Sequence, residues 1–271
     1  MVQNHKIDTF YSVPTTHTMV FNLAKRKKSI DLSSIKLILS GGDSFPVSLV
    51  RTIKKMLPNT HFYNVYGPTE ETINCFACRL DLMIPQLEKD GIPIGFSFDC
   101  IDHVLINEES KQEDPNQGLL CVTGPQIMLG YFDDEQLTQN SFIKDPRYPN
   151  QNRILYKTGD IVRQDSSNLT YIIGRNDDLV KIQGYRINPN EITNFLTKQN
   201  YIVEASTITY KSSDLSDSFL ISFVKSSEKL NIEKLMETLK ITFPLYMVPK
   251  EIILLSIFPL MRTGIFSNLK L

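Results

Sequence analysis

Three short stretches of this chain place polar side chains at spacings suited to holding a nucleotide. In NVYGPTEE, Asn64 carries an amide that can pair with a purine edge, and Tyr66 carries a flat aromatic face for stacking. Gly67 and Pro68 then turn the chain so that the Thr69 hydroxyl and the Glu70 carboxylate can point the same way, a pairing that suits a phosphate with its magnesium ion. In YKTGD, Asp160 follows a Thr-Gly turn and can accept hydrogen bonds from both hydroxyls of a ribose, as an acidic residue does in dinucleotide folds. Further on, Arg175 supplies a planar fork of donors for a ribose or phosphate oxygen. Lys181 and Gly184 follow, the glycine suiting a backbone conformation that other residues avoid. Singly, each motif is an ordinary loop; their order along one chain carries the signal. Cys75 and Cys78 have C-x-x-C spacing, but Cys100 and Cys121 supply no second pair for zinc, and the four cysteines read as small buried hydrophobes.

The elements that must position these residues can be read from periodicity. IKLILS (35–40) is a buried strand, and Val47, Leu49, Val50, Ile53 and Met56 give an apolar face to a helix opened by Pro46. THFYNV (60–65) is the next strand. This βαβ rhythm implies a mainly parallel sheet with ligand sites past the carboxyl ends of its strands, where GGD and YGPTE both fall. From about 96 the pattern changes to short strands split by Asn, Asp, Gly and Pro, a β-rich subdomain. After Asp177 it changes again. Asn188, Pro189 and Glu191 open a helix with Ile192, Phe195 and Leu196 inward, two strand-like runs follow, and Ile232, Leu235, Met236 and Leu239 mark a second helix. The expected fold is therefore α/β: residues 1–95 as sheet, 96–177 as the β-rich subdomain, and 178–271 as a small mobile α+β domain.

With 271 residues, 41% of them hydrophobic and 22% charged, the chain has the makings of a packed core rather than a disordered segment. A net charge of −1 and a pI near 6.4 give no field to draw the protein to nucleic acid or an anionic membrane, so neither is expected as a partner. The basic run Lys25 to Lys28 reads as a solvated helix end. The N-terminus lacks a basic region followed by an apolar run, and no stretch is long enough to span a bilayer, so a cytoplasmic location is expected.

Together the motifs resemble the adenylate-forming superfamily of acyl-CoA synthetases, luciferases and amino-acid adenylation domains, along essentially the whole chain. LSGGDSFP is similar to its adenine-side glycine turn, NVYGPTEE to its purine and magnesium motif, GLLCVTGPQIMLGYF to its G-E-L-x-I-x-G segment, YKTGD to its ribose motif, GRNDDLVKIQGYRINPNEI to its hinge, and FPLYMVP to its L-P-x-Y-M-V-P segment. The wording of the last two resembles amino-acid adenylation domains, including D-alanine carrier-protein ligases. The resemblance implies ATP or AMP and Mg2+ as cofactors. It assigns Gly42, Asn64 and Tyr66 to adenine, Thr69 and Glu70 to the phosphates with Glu70 on Mg2+, and Asp160 and Arg175 to the ribose. Asp177 becomes the hinge between adenylating and thioester-forming arrangements, and Lys181 and Gly184 serve the thioester-forming one. Leu39, Gly41, Val65, Ile73 and Asn74 line part of the acyl pocket.

Two departures limit what the resemblance carries over. Nothing before Ser40 is similar to the family's phosphate loop, and DTFYSVPTTHTMV corresponds to a point midway through its large domain, so the expected large domain is truncated. In the tail FPLMRTGIFSNLKL, Ile265 stands at the lysine position, and Ser267 and Asn268 replace an Asp-Arg pair, so no catalytic residue is intact there. Loss of one such positioned donor costs on the order of 10² to 10³ in rate. Ile172 stands where an aromatic often covers adenine. The pattern implies a fragment of an ATP-dependent ligase that activates an amino acid, or another carboxylic acid, as acyl-adenylate for transfer to a carrier-protein thiol. Its alternatives are an inactive remnant or nucleotide-binding module, and one half of a split enzyme with a separate phosphate-loop partner.

Overall fold

A computed structural model describes residues 2–43, 46–107, 109–110, 112–182, 184–211 and 218–258. The tail carrying Ile265 lies outside the described residues. The chain divides into two compact units, Met1–Asp177 and Asp178–Leu271.

The first unit opens with α1 (Val2–His5), β1 (Thr9–Ser12), α2 (Pro14–Arg26), β2 (Leu37–Gly41), α3 (Val47–Met56), β3 (His61–Tyr66), β4 (Phe76–Arg79), α4 (Ile84–Asp90) and β5 (Phe96–Ser97). Its strands form one sheet in the order β1-β2-β3-β4-β5. The pairs β1/β2 and β2/β3 are parallel, as crossover connections through α2 and α3 require. β3/β4 and β4/β5 are antiparallel, so the sheet is mixed. The reason is local: β3 passes to β4 through a tight turn with no crossover helix. β5 also carries this sheet past residue 95 into what reads in sequence as the β-rich subdomain.

Strand alternation gives the sheet two different faces. Phe10, Ile38 and Phe62 share a register row and pack with Phe21 of α2, Leu49, Val50 and Ile53 of α3, and Leu87 of α4. α3 forms where the periodicity places it, with Leu49, Val50 and Ile53 buried and Leu57 N–H closing the last turn on Ile53. The opposite row, Tyr11, Leu39 and Tyr63, is only half-buried to exposed.

The rest of this unit is β6 (Asp102–Ile106), β7 (Gln117–Thr123), α5 (Glu135–Ser141), β8 (Phe142–Lys144), β9 (Ile154–Gln164) and β10 (Thr170–Arg175). These strands make an antiparallel sheet, β10-β9-β7-β6, with β8 on β9. Val104, Ile106, Leu119, Cys121 and Leu155 form one apolar cluster. Leu105, Leu120, Val122, Tyr156 and Val162 join Tyr66, Cys75 and Phe76 in another. That second cluster fastens the end of β3 to β9 and so decides what Tyr66 can reach. Cys75, Cys78 and Cys121 are buried, but Cys100 is exposed, contrary to the reading of all four as core residues. Lys25 to Lys28 are solvent-exposed.

The second unit contains β11 (Val180–Ile182) and β12 (Tyr185–Ile187), then α6 (Pro189–Thr197), β13 (Ile202–Lys211), β14 (Ser218–Ser226), α7 (Ile232–Thr242) and β15 (Glu251–Leu254). β13 pairs antiparallel and β15 parallel with β14. Asn188 and Asn231 cap the two helices, their side chains accepting from the N–H groups of Asn190 and Lys234. Ile192 and Leu196 of α6 and Leu235 and Leu239 of α7 close a core over Leu220, Val224 and Ile252. Among the described residues no helix is long and apolar enough to cross a membrane.

Candidate functional site

Asp160 and Arg175 are cross-strand partners on β9 and β10. The Arg175 fork uses its whole donor edge. Nη1 donates to Asp160 Oδ1, while Nε and Nη2 make a bidentate pair with Asp177 at 2.6 Å each. The other Asp160 oxygen accepts from the Tyr66 hydroxyl. Burial first, and then the Asp160 charge, push the Tyr66 phenol well above its ordinary pKa, so it stays a proton donor. Tyr66, Asp160, Arg175 and Asp177 are thus one connected chain that ends at the last residue of the first unit. Gly159, at φ 78°, lies beneath it, and a Cβ there would strike the Asp177 carboxylate and, at 2.6 Å, Arg175 Nη2.

The turn between β3 and β4 forms a second centre. Thr69–Glu71 make one 3₁₀ turn, after which Thr72 (φ 51°) and Ile73 (φ 75°) adopt left-handed backbone. For two β-branched residues this costs on the order of 1–3 kcal/mol each. The turn folds back onto Gly67, where a Cβ would lie 2.5 Å from the Ile73 carbonyl oxygen and 2.8 Å from Asn74 Cα. Segment 124–131 braces it from outside. Gln126 Nε2 donates to the carbonyls of Glu71 (2.7 Å) and Asn74 (2.8 Å), the Gln126 carbonyl accepts from Thr72 Oγ1 (2.7 Å), and Met128 N–H donates to the Glu70 carbonyl (2.8 Å). Tyr131 donates its hydroxyl to Glu70 Oε1 at 2.7 Å. Glu71 is fully buried with neither carboxylate oxygen hydrogen-bonded, and burial raises its pKa to about 7.

The residues expected around the nucleotide and the acyl group divide between these places. Leu39, Gly41 and Val65 share the sheet face that carries Tyr11, and Tyr11 donates its hydroxyl to Asn74 Oδ1 at 3.2 Å, which brings Asn74 to the same side. Ile73 is 60% exposed. Asn64 and Tyr66 point to the other face. The Asn64 amide donates to the Pro93 carbonyl (2.8 Å), and the Tyr66 ring is only 5% exposed, packed edge-on against Phe76. Neither presents the free purine-pairing edge or open stacking face that sequence suggests, because both are drawn into the core between the two sheets. Gly42 lies exposed just past β2, and Thr69 is exposed at the start of the 3₁₀ turn. Lys181 and Gly184 belong to the second unit, Lys181 on β11 opposite Arg186 and Gly184, at φ 85°, in the turn to β12.

Comparison with known proteins bears directly on this arrangement. Residues 1–132 match the family model described as AMP-binding enzyme. The chain is 32% identical over 264 residues, 97% of its length, to surfactin synthase subunit 2 of Bacillus subtilis (strain 168). The chain belongs to the adenylate-forming superfamily. It spans 7% of the length of that synthase subunit. Among solved adenylate-forming structures, PA1221, an NRPS protein containing adenylation and PCP domains, superposes with a TM-score of 0.82 at 24% identity, over 98% of this chain and 44% of that one. The Vibrio cholerae adenylation domain AlmE, solved with glycyl-adenosine-5'-phosphate, superposes with a TM-score of 0.78 at 24% identity, over 98% of this chain and 49% of that one. The fold is that of these domains.

Residues of this adenylate-forming chain to which the motif reading gives no side-chain contact are Tyr11, Gln126 and Tyr131, and Gly67 and Gly159 enter it only as turn residues; each touches or underlies a motif residue. The glycines carried a signal in their turns. Tyr11, Gln126 and Tyr131 act across gaps of more than fifty residues, which no local pattern reveals.

Proposed function

We propose that this chain is part of an enzyme that activates an amino acid as its aminoacyl-adenylate, holding the nucleotide ribose and carrying the hinge toward thioester formation on a carrier protein. The observation that carries this reading is the chain Tyr66–Asp160–Arg175–Asp177, in which the carboxylate expected on the ribose and the aspartate expected at the hinge share one guanidinium. A carboxylate offers about four acceptor positions, and Tyr66 and Arg175 use two of those on Asp160, so a ribose diol fits the remainder. Because Asp160 is only 5% exposed, the ribose reaches it by displacing the Arg175 side chain, which can then donate to the sugar. In this reading Tyr66 orients Asp160, and Gly42 is the adenine-side position.

Glu70 and Thr69 fit magnesium in a limited way. Among the described residues no group of three or more His, Cys, Asp or Glu could hold a metal, so the ion belongs with the substrate phosphates, as magnesium commonly does. Bound there, it neutralises phosphate charge. Tyr131 donates to one Glu70 oxygen and so orients the carboxylate. Leu39, Gly41, Val65, Ile73 and Asn74 form the acyl-facing surface, and Lys181 and Gly184 serve the thioester-forming arrangement. The experiment is calorimetry with AMP and with ATP and Mg2+. Weak binding is expected, reduced about 10- to 100-fold by Asp160→Ala, the loss of hydrogen bonds to a charged group. An unchanged affinity in that variant removes the ribose assignment.

Ile265 at the lysine position favours a second reading, a nucleotide-binding segment without adenylating activity of its own. It is tested by amino-acid-dependent pyrophosphate exchange. Exchange above a heat-killed control excludes it.

A further inference from the structure

We propose that Gln126 is a positioning residue for acyl selectivity: without touching the substrate, it holds Ile73 and Asn74 in the one backbone conformation that presents them to the acyl group. The proposal rests on the adenylating reading above and names a determinant to which that reading gives no role. Three facts converge on it. The Gln126 side chain donates to the carbonyls on either side of the left-handed pair, Glu71 at 2.7 Å and Asn74 at 2.8 Å, and the Gln126 backbone carbonyl takes the Thr72 hydroxyl at 2.7 Å. The pair it spans, Thr72 and Ile73, holds a backbone conformation that β-branched residues avoid. Ile73 is also 60% exposed while held there, so neither backbone preference nor burial of its side chain accounts for its placement.

The backbone hydrogen bonds of the turn tie it to itself and, through Cys75 N–H on the Tyr66 carbonyl at 2.7 Å, to the end of β3. Ile73 N–H reaches the Pro68 carbonyl only at 3.3 Å, and Asn74 N–H reaches Thr72 at 3.0 Å, which ties the turn to itself. Gln126 ties it to the second sheet, at the end of β7, and Tyr11 ties the Asn74 side chain to β1 at 3.2 Å. With Asn74 held at both ends, Ile73 is the side chain left facing outward. A glutamine suits this role because its amide carries two donors in a fixed plane, which can meet two carbonyls at once.

The test uses the full chain and three variants. Gln126→Met keeps the size and removes the donors, Gln126→Lys keeps donors, and Thr72→Val removes only the hydroxyl contact at an exposed, already β-branched position. Amide hydrogen exchange of residues 71–75 should accelerate about 5- to 30-fold in Gln126→Met, which loses two ordinary hydrogen bonds, less in Thr72→Val, and be partly restored in Gln126→Lys. Affinities for AMP and for alanyl- and leucyl-sulfamoyl adenosine are then measured by calorimetry. AMP affinity should stay within about twofold, while the ratio between the two aminoacyl analogues moves toward one in Gln126→Met and returns in Gln126→Lys. Unchanged exchange in Gln126→Met overturns the clamp. Faster exchange with an unchanged analogue ratio overturns the selectivity role and leaves Gln126 a structural tie. Should the wild-type chain bind neither AMP nor the analogues, the adenylating reading fails and takes the selectivity claim with it, while the exchange result still judges the clamp by itself. Should Gln126→Met fail to fold, Thr72→Val decides: no change in exchange or ratio overturns the proposal.

Discussion

Glu71 carries a carboxyl group that is fully buried and without a hydrogen-bond partner, so its protonation state is a matter of stability. Burial raises its pKa from 4.5 to about 7. Below 4.5 the folded and unfolded chains both hold the proton and no penalty arises. Between 4.5 and about 7 the unfolded chain gives it up first, so the folded chain binds more protons and stability falls as pH rises. Above that window the penalty is complete, about 3 kcal/mol for the full shift. Glu71→Gln keeps the shape and removes the charge, so thermal melts should show the variant more stable than wild type at about pH 8 and nearly equal at about pH 4. A constant difference between the two pH values would mean that Glu71 does not titrate in this range. The same turn supplies a second residue-scale outcome. Tyr131→Phe leaves Glu70 without its fixed donor and should weaken the magnesium-dependent part of ATP binding by about three- to tenfold, with AMP binding in the absence of magnesium unchanged.

At the scale of elements, the two capped helices of the second unit invite direct measurement. Asn188→Ala and Asn231→Ala each remove a side-chain acceptor from a helix N-terminus and should cost about 1 kcal/mol in urea unfolding. Both caps stand in sequences whose helical period is plain, and there the sequence was readable: α3, α6 and α7 begin and end close to where Leu49, Ile192 and Leu235 and their neighbours place them. The parallel pair β2-β3 was equally legible, because a short connection with a helix between strands leaves little choice, whereas no strand is read from sequence at β1. β4 and β5 were not, since their direction depends on a turn whose path is fixed by Gly67 and by contacts from residues 126–131. Asn64 and Tyr66 show the matching limit within the site. Their types suit contact with a base, but strand parity sends both into the inter-sheet core, and parity is settled by register rather than by residue type.

For the molecule as a whole, the boundary between Asp177 and Asp178 matters most. The second unit has its own apolar core, built on Leu196, Leu220, Val224 and Leu239, and residues 178–271 expressed alone should unfold cooperatively with a midpoint close to that of the same unit in the full chain. Failure to show a cooperative transition would mean that this core depends on the first unit. Arg175 gives the boundary a further property. A single guanidinium is divided between Asp160, where the ribose is proposed to bind, and Asp177, the last residue before the second unit, so sugar and backbone link are antagonists for one donor. Antagonism of this kind is reciprocal, since whatever the link does to the sugar the sugar does to the link by the same factor. Asp177→Asn, which never meets the nucleotide, weakens the link's hold on the guanidinium and frees it to donate to the sugar, and should raise AMP affinity a few-fold, roughly two- to tenfold. By the same linkage, nucleotide should loosen the backbone around Asp177, so that a protease probing this link would register whether the site is filled.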